Sequence, residues 1–187
     1  EWWATARPHS CGRLVDGMKA RVDSPDSEHI PGVLFVKGDN VMMGYFKNPQ
    51  ATSEALTPDG WLNTGDICTI DKDGYVYLRG RDKNMILGPS GQNIYPEEIE
   101  VKLNNLPLVA ESVVVDRGGK IVAMVHPDYD TAQKQHLTEE QTDARVEALL
   151  PDLNRLLPGY SRVSVIEIHK DPFEKTPKHS IRRFLYK

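Results

Sequence analysis

A short carboxylate, an arginine at a strand end and a glycine-rich turn follow one another within residues 60–100. Asp66 closes the run Gly-Trp-Leu-Asn-Thr-Gly-Asp at 60–66. A carboxylate there could accept hydrogen bonds from the two vicinal hydroxyls of a ribose, and its charge makes such bonds stronger than neutral ones. Acids do this work in dinucleotide sites, and Gly65 would let the backbone approach the sugar closely. Asp66 could equally be a turn residue that satisfies its own loop. Arg81 follows Gly80 in Leu-Arg-Gly-Arg-Asp-Lys at 78–83. Its guanidinium could hold a ribose oxygen or a phosphate with a fixed fork of donors, or pair with an acid such as Asp82. Residues 88–93, Gly-Pro-Ser-Gly-Gln-Asn, lack the Gly-Lys-Ser/Thr ending of a phosphate-binding loop, and a simple hairpin accounts for them. The basic run at 175–183, Lys-Thr-Pro-Lys-His-Ser-Ile-Arg-Arg, reads by itself as a solvated tail. Trp61, Tyr75 and Tyr77 are expected in the packing of a β unit rather than in a stacking platform.

These groups need elements to hold them. Residues 10–22 carry the turn dipeptide Asp16-Gly17 between short apolar runs. A β-rich run follows at 32–37, with a second strand or a bend at 41–45. Residues 48–56 predict a short helix, with Asn48 as cap and Pro49 at the first helical position. Asp73-Gly74 predicts a hairpin joining 67–70 to 75–78. The first part therefore reads as a small, barrel-like β unit. Past Arg81 the pattern changes. A hairpin spans 85–94, and a helix over 96–106 begins with Pro96, carries Glu97, Glu98 and Glu100 where the helix dipole favours acids, and buries Ile99 and Leu103. Strands are expected at 112–115 and 120–126. A long amphipathic helix is expected over 138–157, started by a capping box at Thr138 and kinked or split at Pro151. A third strand at 163–168 and a terminal helix at 180–186 complete the set. The fold class is α+β, with a β-rich subdomain at 1–81 and a compact α+β domain at 82–187.

Composition narrows the function classes. The 187 residues are 39% apolar and 27% charged, as in a water-soluble globular protein. A net charge of −4 gives no reason to expect a nucleic-acid partner. No apolar run approaches membrane-spanning length, so only peripheral association with a membrane stays open. The two cysteines, Cys11 and Cys68, are not in a metal spacing, and free buried thiols suit a reducing cytoplasm. The histidines form no metal-ligand pair at helical spacing, so no metal residues are assigned. The chain does not begin with Met, which suits a segment from inside a longer protein.

The order of devices in 60–100 resembles one region of the adenylate-forming enzymes: acyl-CoA synthetases, luciferases and peptide-synthetase adenylation domains. Residues 92–100, Gln-Asn-Ile-Tyr-Pro-Glu-Glu-Ile-Glu, resemble the long-chain fatty-acid–CoA ligases among them. The resemblance covers nearly the whole chain, but the chain covers only the later part of such an enzyme. It implies a fatty acid, ATP and CoA as substrates of the complete protein. AMP would be a product, and Mg²⁺ would balance phosphate charge through ligands upstream of this chain.

By the same resemblance, Asp66 in Leu-Asn-Thr-Gly-Asp matches the ribose-binding acid and Arg81 the nucleotide-contacting arginine. Lys83 matches the hinge about which the C-terminal domain turns between two half-reactions, although an ordinary solvated lysine fits there too. Gly91, with Gly88 as the alternative because this turn carries one residue more than in many relatives, matches the glycine lining the pantetheine tunnel of CoA. The 175–183 run resembles the final motif Pro-Lys-Thr-x-x-Gly-Lys-Ile-x-Arg, whose second lysine stabilises charge during adenylation. Ser180 stands in that lysine's place, and Lys178 is the nearest substitute, with Lys175 a poorer one. The resemblance also admits a non-catalytic interaction module with the same fold, or an aryl- or amino-acid-activating relative.

Overall fold

A computed structural model describes residues 7–187. The chain divides into two compact units, Glu1–Asn84 and Met85–Lys187. The first holds a four-stranded antiparallel sheet in the order β1 (Lys19–Asp23), β2 (Gly32–Lys37), β3 (Leu62–Ile70) and β4 (Val76–Arg81). One face buries Leu34, Cys68 and Val76, with Ala20, Val22, Val36 and Ile70 packed around them. The expected barrel-like closure is not formed: among the described residues the sheet is open, with β1 and β4 as its edges.

Local chemistry explains the connections. Residues 41–45 are bends rather than a strand. Helix α1 (Pro49–Ala55) starts where Asn48 Oδ1 accepts from Ala51 N at 3.0 Å, a cap that stabilises a helix by about 1 kcal/mol. The β3–β4 turn is tied by Asp71, whose Oδ1 accepts from Tyr75 N at 2.9 Å and Asp73 N at 3.0 Å. These bonds, led by the one from Tyr75, hold the Asp71 carboxyl below the usual range. Tyr75 is buried as expected, whereas Trp61 is half-buried under the Arg21 guanidinium, 5.0 Å from its ring. Cys68 is fully buried, and Cys11 is exposed, so only one thiol meets the expectation of burial. Burial, with smaller contributions from Asp66 and Cys11, pushes the Cys68 thiol up to about 11.

The second unit is built on the sheet β7 (Val109–Arg117), β8 (Lys120–Pro127) and β9 (Val165–Ile168). β7 and β8 are antiparallel, and β9 runs parallel to β8. Alternation puts Val114, Ala123 and Val125 on one face with Ile94, Ile99, Leu103, Val146 and Leu153. Val113, Val115, Val122 and Met124 go to the other face with Phe173. In front of the sheet lie the short hairpin β5 (Ile86–Leu87) and β6 (Asn93–Ile94) and helix α2 (Pro96–Leu103).

Some boundaries depart from the sequence pattern. Helix α2 stops at Leu103, three residues early, and Asn104 turns its amide oxygen to the Ser112 hydroxyl at 2.7 Å. The long helix splits at the proline as expected, into α4 (Glu139–Glu147) and α5 (Leu150–Arg155), because Pro151 has no N–H to give the Glu147 carbonyl. The capping box at Thr138 is present. β9 begins two residues late because Val163 pairs its backbone with the Asn154 amide, at 2.8 and 2.9 Å. The terminal helix shrinks to a 3-10 turn at Arg183–Leu185, since the chain before it is drawn into a bridge between Lys175 and Ile181. One helix carries no expectation from sequence. It is α3 (Tyr129–Lys134), capped by Asp128, which accepts from Thr131 N at 2.9 Å and from its hydroxyl at 2.6 Å.

Candidate functional site

Asp66 and Arg81 are brought together. They are directly opposed in the β3–β4 ladder and so share a face of the sheet. Arg81 Nε meets Asp66 Oδ1 at 3.0 Å, and Arg81 Nη1 donates to Thr64 O at 3.2 Å.

The backbone that presents Asp66 is irregular. Between the pairs Val33–Ile67 and Phe35–Asn63, β2 advances two residues while β3 advances four. The excess is taken up around Thr64, Gly65 and Asp66. Gly65 has φ +68° there, a left-handed conformation that costs other residues more. A Cβ on Gly65 would lie 3.9 Å from Arg81 Nη1, an ordinary contact. The glycine therefore supplies the turn of the backbone, and the face it leaves open meets only the Arg81 guanidinium. Side chains replace the lost ladder bonds. Thr64 Oγ1 donates to Leu34 O at 2.9 Å and accepts from Asp66 N at 3.1 Å, and Asn63 Oδ1 accepts from Gly65 N at 2.8 Å. A bulge so braced re-aims a side chain away from the regular alternation. A second bulge, at Arg79 on β4, lets Arg81 fall opposite Asp66.

The pair remains reachable from solvent, with 54% of the Arg81 side chain and 26% of that of Asp66 exposed. One acid and one planar cation on a braced corner offer acceptors to hydroxyls and donors to oxygens at the same place. Thr64 and Asn63 carry no assignment from sequence. The signal for them is the Asn-x-Gly and Thr-x-Asp spacing, in which a side chain reaches a backbone N–H two residues on.

Lys83 lies exposed in a 3-10 turn, Asp82–Asn84, just before the second unit begins at Met85. Gly91 closes the β5–β6 hairpin. Gly88 N donates to Gln92 O at 2.8 Å and Gly91 N to Gly88 O at 2.9 Å, with Pro89 leading the turn and Gly91 at φ +80°. A Cβ on Gly91 would meet nothing within 4 Å, whereas one on Gly88 would press Ile94 at 3.1 Å. Gly88 is therefore held by packing within the domain, and Gly91 is the glycine that faces open space.

Lys178 and Ser180 sit on a hairpin of the same pattern. Thr176 N donates to Ser180 O at 2.8 Å and His179 N to Thr176 O at 2.9 Å, with Pro177 leading the turn. His179 takes the left-handed position at φ +60°, where the resembled motif has glycine. Lys178 is exposed beside it. Lys175 is drawn away into an ion pair with Glu111, which weakens its claim as the substitute lysine.

The family model for the AMP-binding enzyme C-terminal domain matches residues 83–186. The chain belongs to this family. The long-chain-fatty-acid–CoA ligase of Yersinia pestis is 33% identical over 94% of this chain and 30% of its own length. The sulfoacetate–CoA ligase of Cupriavidus necator is 42% identical over 62% of this chain and 24% of its own. Among solved structures, the o-succinylbenzoate CoA synthetase of Bacillus subtilis, in complex with its acyl-adenylate intermediate, aligns over 96% of this chain and 35% of its own with a TM-score of 0.78 and 25% identity. The chain thus spans about a third or less of the length of these relatives. The relatives in this comparison are CoA ligases and synthetases named for different acids, and the α+β fold of this chain is theirs.

Proposed function

We propose that the chain is the C-terminal part of an AMP-forming long-chain fatty-acid–CoA ligase. The observation that carries this is the Asp66–Arg81 pair, set opposite each other on a braced bulge and open to solvent, in a chain of this family. In the complete protein, a fatty carboxylate attacks the α-phosphate of ATP, forming acyl-AMP and expelling pyrophosphate. The CoA thiolate then attacks the acyl carbonyl and expels AMP. Asp66 and Arg81 hold the ribose, Lys178 meets charge developing at the α-phosphate, and the turn at Gly91 admits CoA. Mg²⁺ would neutralise phosphate charge when bound. Among the described residues no cluster of three His, Cys, Asp or Glu side chains is arranged to hold a cation, so its ligands are not assigned to this chain. The likeness to the Yersinia pestis ligase across almost the whole chain supports fatty acid as the substrate.

The test is a comparison of two proteins. The full-length protein should convert fatty acid, ATP and CoA to acyl-CoA, and the 187-residue segment alone should not exceed a blank. Activity with only short or sulfonated acids would remove the fatty-acid assignment, and activity of the segment by itself would overturn its place in the larger enzyme.

Lys83 is proposed as the hinge between the two half-reactions. Lys83→Pro fixes one backbone torsion and pushes Asp82 toward extended angles. In the full-length protein it should slow one half-reaction at least about tenfold and leave the other within about threefold, as expected when a rotation gates only one step. Equal losses in both steps, measured as pyrophosphate release and as thioester formation from supplied acyl-adenylate, would argue against a hinge there.

A further inference from the structure

Arg183 closes the C-terminal run yet has no part in the reading of that run as chemistry. Only 18% of its side chain is exposed. Its Nη2 donates to Glu100 Oε2 and lies 3.9 Å from Glu97 Oε1. Glu100 is 7% exposed, and its other oxygen accepts from Val114 N at 2.7 Å. Burial raises the Glu100 carboxyl, and Arg183 is the main group opposing that. A buried pair of this kind is costly to break from one side, because the partner is left charged and unpaired.

The two ends of the pair differ in how else they are held. Glu100 stands on α2, which is fixed by Ile99 and Leu103 in the core. The segment after Phe173 is held by the partly buried Ile181, by Tyr186, whose ring meets Phe173 and His169 edge-on and whose hydroxyl accepts from Glu174 N at 2.8 Å, and by ion pairs at its two roots. Lys175 pairs with Glu111 of β7 at one root, and Arg183 pairs with Glu100 at the other. Between them lies the hairpin with Lys178 and Ser180 on its tip.

We propose that Arg183, through Glu100, is a positioning residue: it fastens the root of the C-terminal hairpin so that the basic tip is aimed for the adenylation step. This rests on the function proposed above. The turn at Gly91 is pinned separately, by the β5–β6 pairing and by Ile94 in the core, so the thioester step does not depend on the pair.

The test uses the full-length protein carrying Glu100→Gln with Arg183→Met, which removes both charges of the pair together; Glu97, 3.9 Å from the guanidinium, keeps 27% of its side chain exposed to water. Gln keeps an acceptor for Val114 N. Amide hydrogens of Thr176 and Arg182, which bond to Ser180 O and Glu174 O, should exchange at least about tenfold faster. That of Asn104, at the end of α2, should not change. The kcat for pyrophosphate release should fall about tenfold with KM for ATP within twofold, while thioester formation from supplied acyl-adenylate stays within twofold. Arg183→Lys keeps the charge but not the planar donors, and should lose about threefold in the first step only. That variant decides the matter if the double one does not fold.

Parent-level pyrophosphate release in either folded variant overturns the proposal, as does a parallel loss in both steps. A parent protein that releases no pyrophosphate with any carboxylic acid overturns the proposed function and this role with it. An active parent with indifferent variants overturns the role alone.

Discussion

Asp66→Asn in the full-length protein should lower kcat/KM for ATP in the pyrophosphate-releasing step by about 100-fold or more, and should scarcely move the unfolding midpoint. The two halves of that expectation come from different physics. A carboxylate that accepts from both hydroxyls of a ribose makes two charge-assisted bonds, each contributing about 1.5–3 kcal/mol. Asn retains one acceptor and loses the charge, so about 3 kcal/mol of binding to the activated nucleotide disappears, which is about two orders of magnitude in rate. The folded state has little to lose. The ion pair with Arg81 is substantially exposed, and exposed pairs contribute at most about 1 kcal/mol. Asn can still accept from Arg81 Nε, and the bonds that hold the corner come from Thr64 and Asn63 rather than from the Asp66 side chain. If Asp66 held no sugar, ATP dependence would be untouched as well, an outcome readable from a titration of ATP beside the melting curve.

Much of this arrangement could be read before the structure because it rests on local chemistry. Pro49 behind Asn48, Asp73-Gly74, and Gly88-Pro89-Ser90-Gly91 each dictate a turn or a helix start from a few adjacent residues, and each is found where expected. The exceptions lie where a side chain takes over a backbone bond from a distance. Asn154 imitates a strand beside Val163, nine residues away, and shortens β9. The bridge between Lys175 and Ile181 takes residues that read as helix into a hairpin. At the site, the pattern named Asp66 and Arg81 but not their relation. Whether residues fifteen apart oppose each other depends on ladder register, and here the bulge at Arg79 sets it. A single residue more or less at Arg79 would move Arg81 to the other face. Glu100 escaped notice for a similar reason: a third acid in the first turns of α2 reads as dipole chemistry, and only the fold shows that it is buried against the chain end.

Lys178→Ala should slow pyrophosphate release by about 100-fold and leave thioester formation from supplied acyl-adenylate unchanged. A cation aimed at charge that develops only in the transition state typically contributes two to three orders of magnitude. The resembled motif puts its lysine where this chain has Ser180, so the expectation depends on whether a neighbour can reach the same point. The geometry favours Lys178 over Lys175. Lys178 is exposed on the tip of the Pro177–His179 turn, and Lys175 is held by Glu111 at the root. Two residues along a chain separate Cα atoms by at most about 7 Å, a gap that the long flexible stem of a lysine can largely close. The double variant Lys178→Ala with Ser180→Lys therefore decides the mechanism. Recovery of the first step shows that the chemistry needs a cation at this tip and that either position can supply it. Lys175→Ala should leave thioester formation near the parent rate and slow the first step by no more than about threefold, through the loosened root of the hairpin, and should lower stability, because it uncovers the Glu111 carboxylate, which is 22% exposed. An indifferent Lys178→Ala, in a protein whose Asp66 variant is also indifferent, would leave a domain that keeps the fold of an acid-activating enzyme without its chemistry. The alternative assignment, a non-catalytic module, would then stand in place of the ligase.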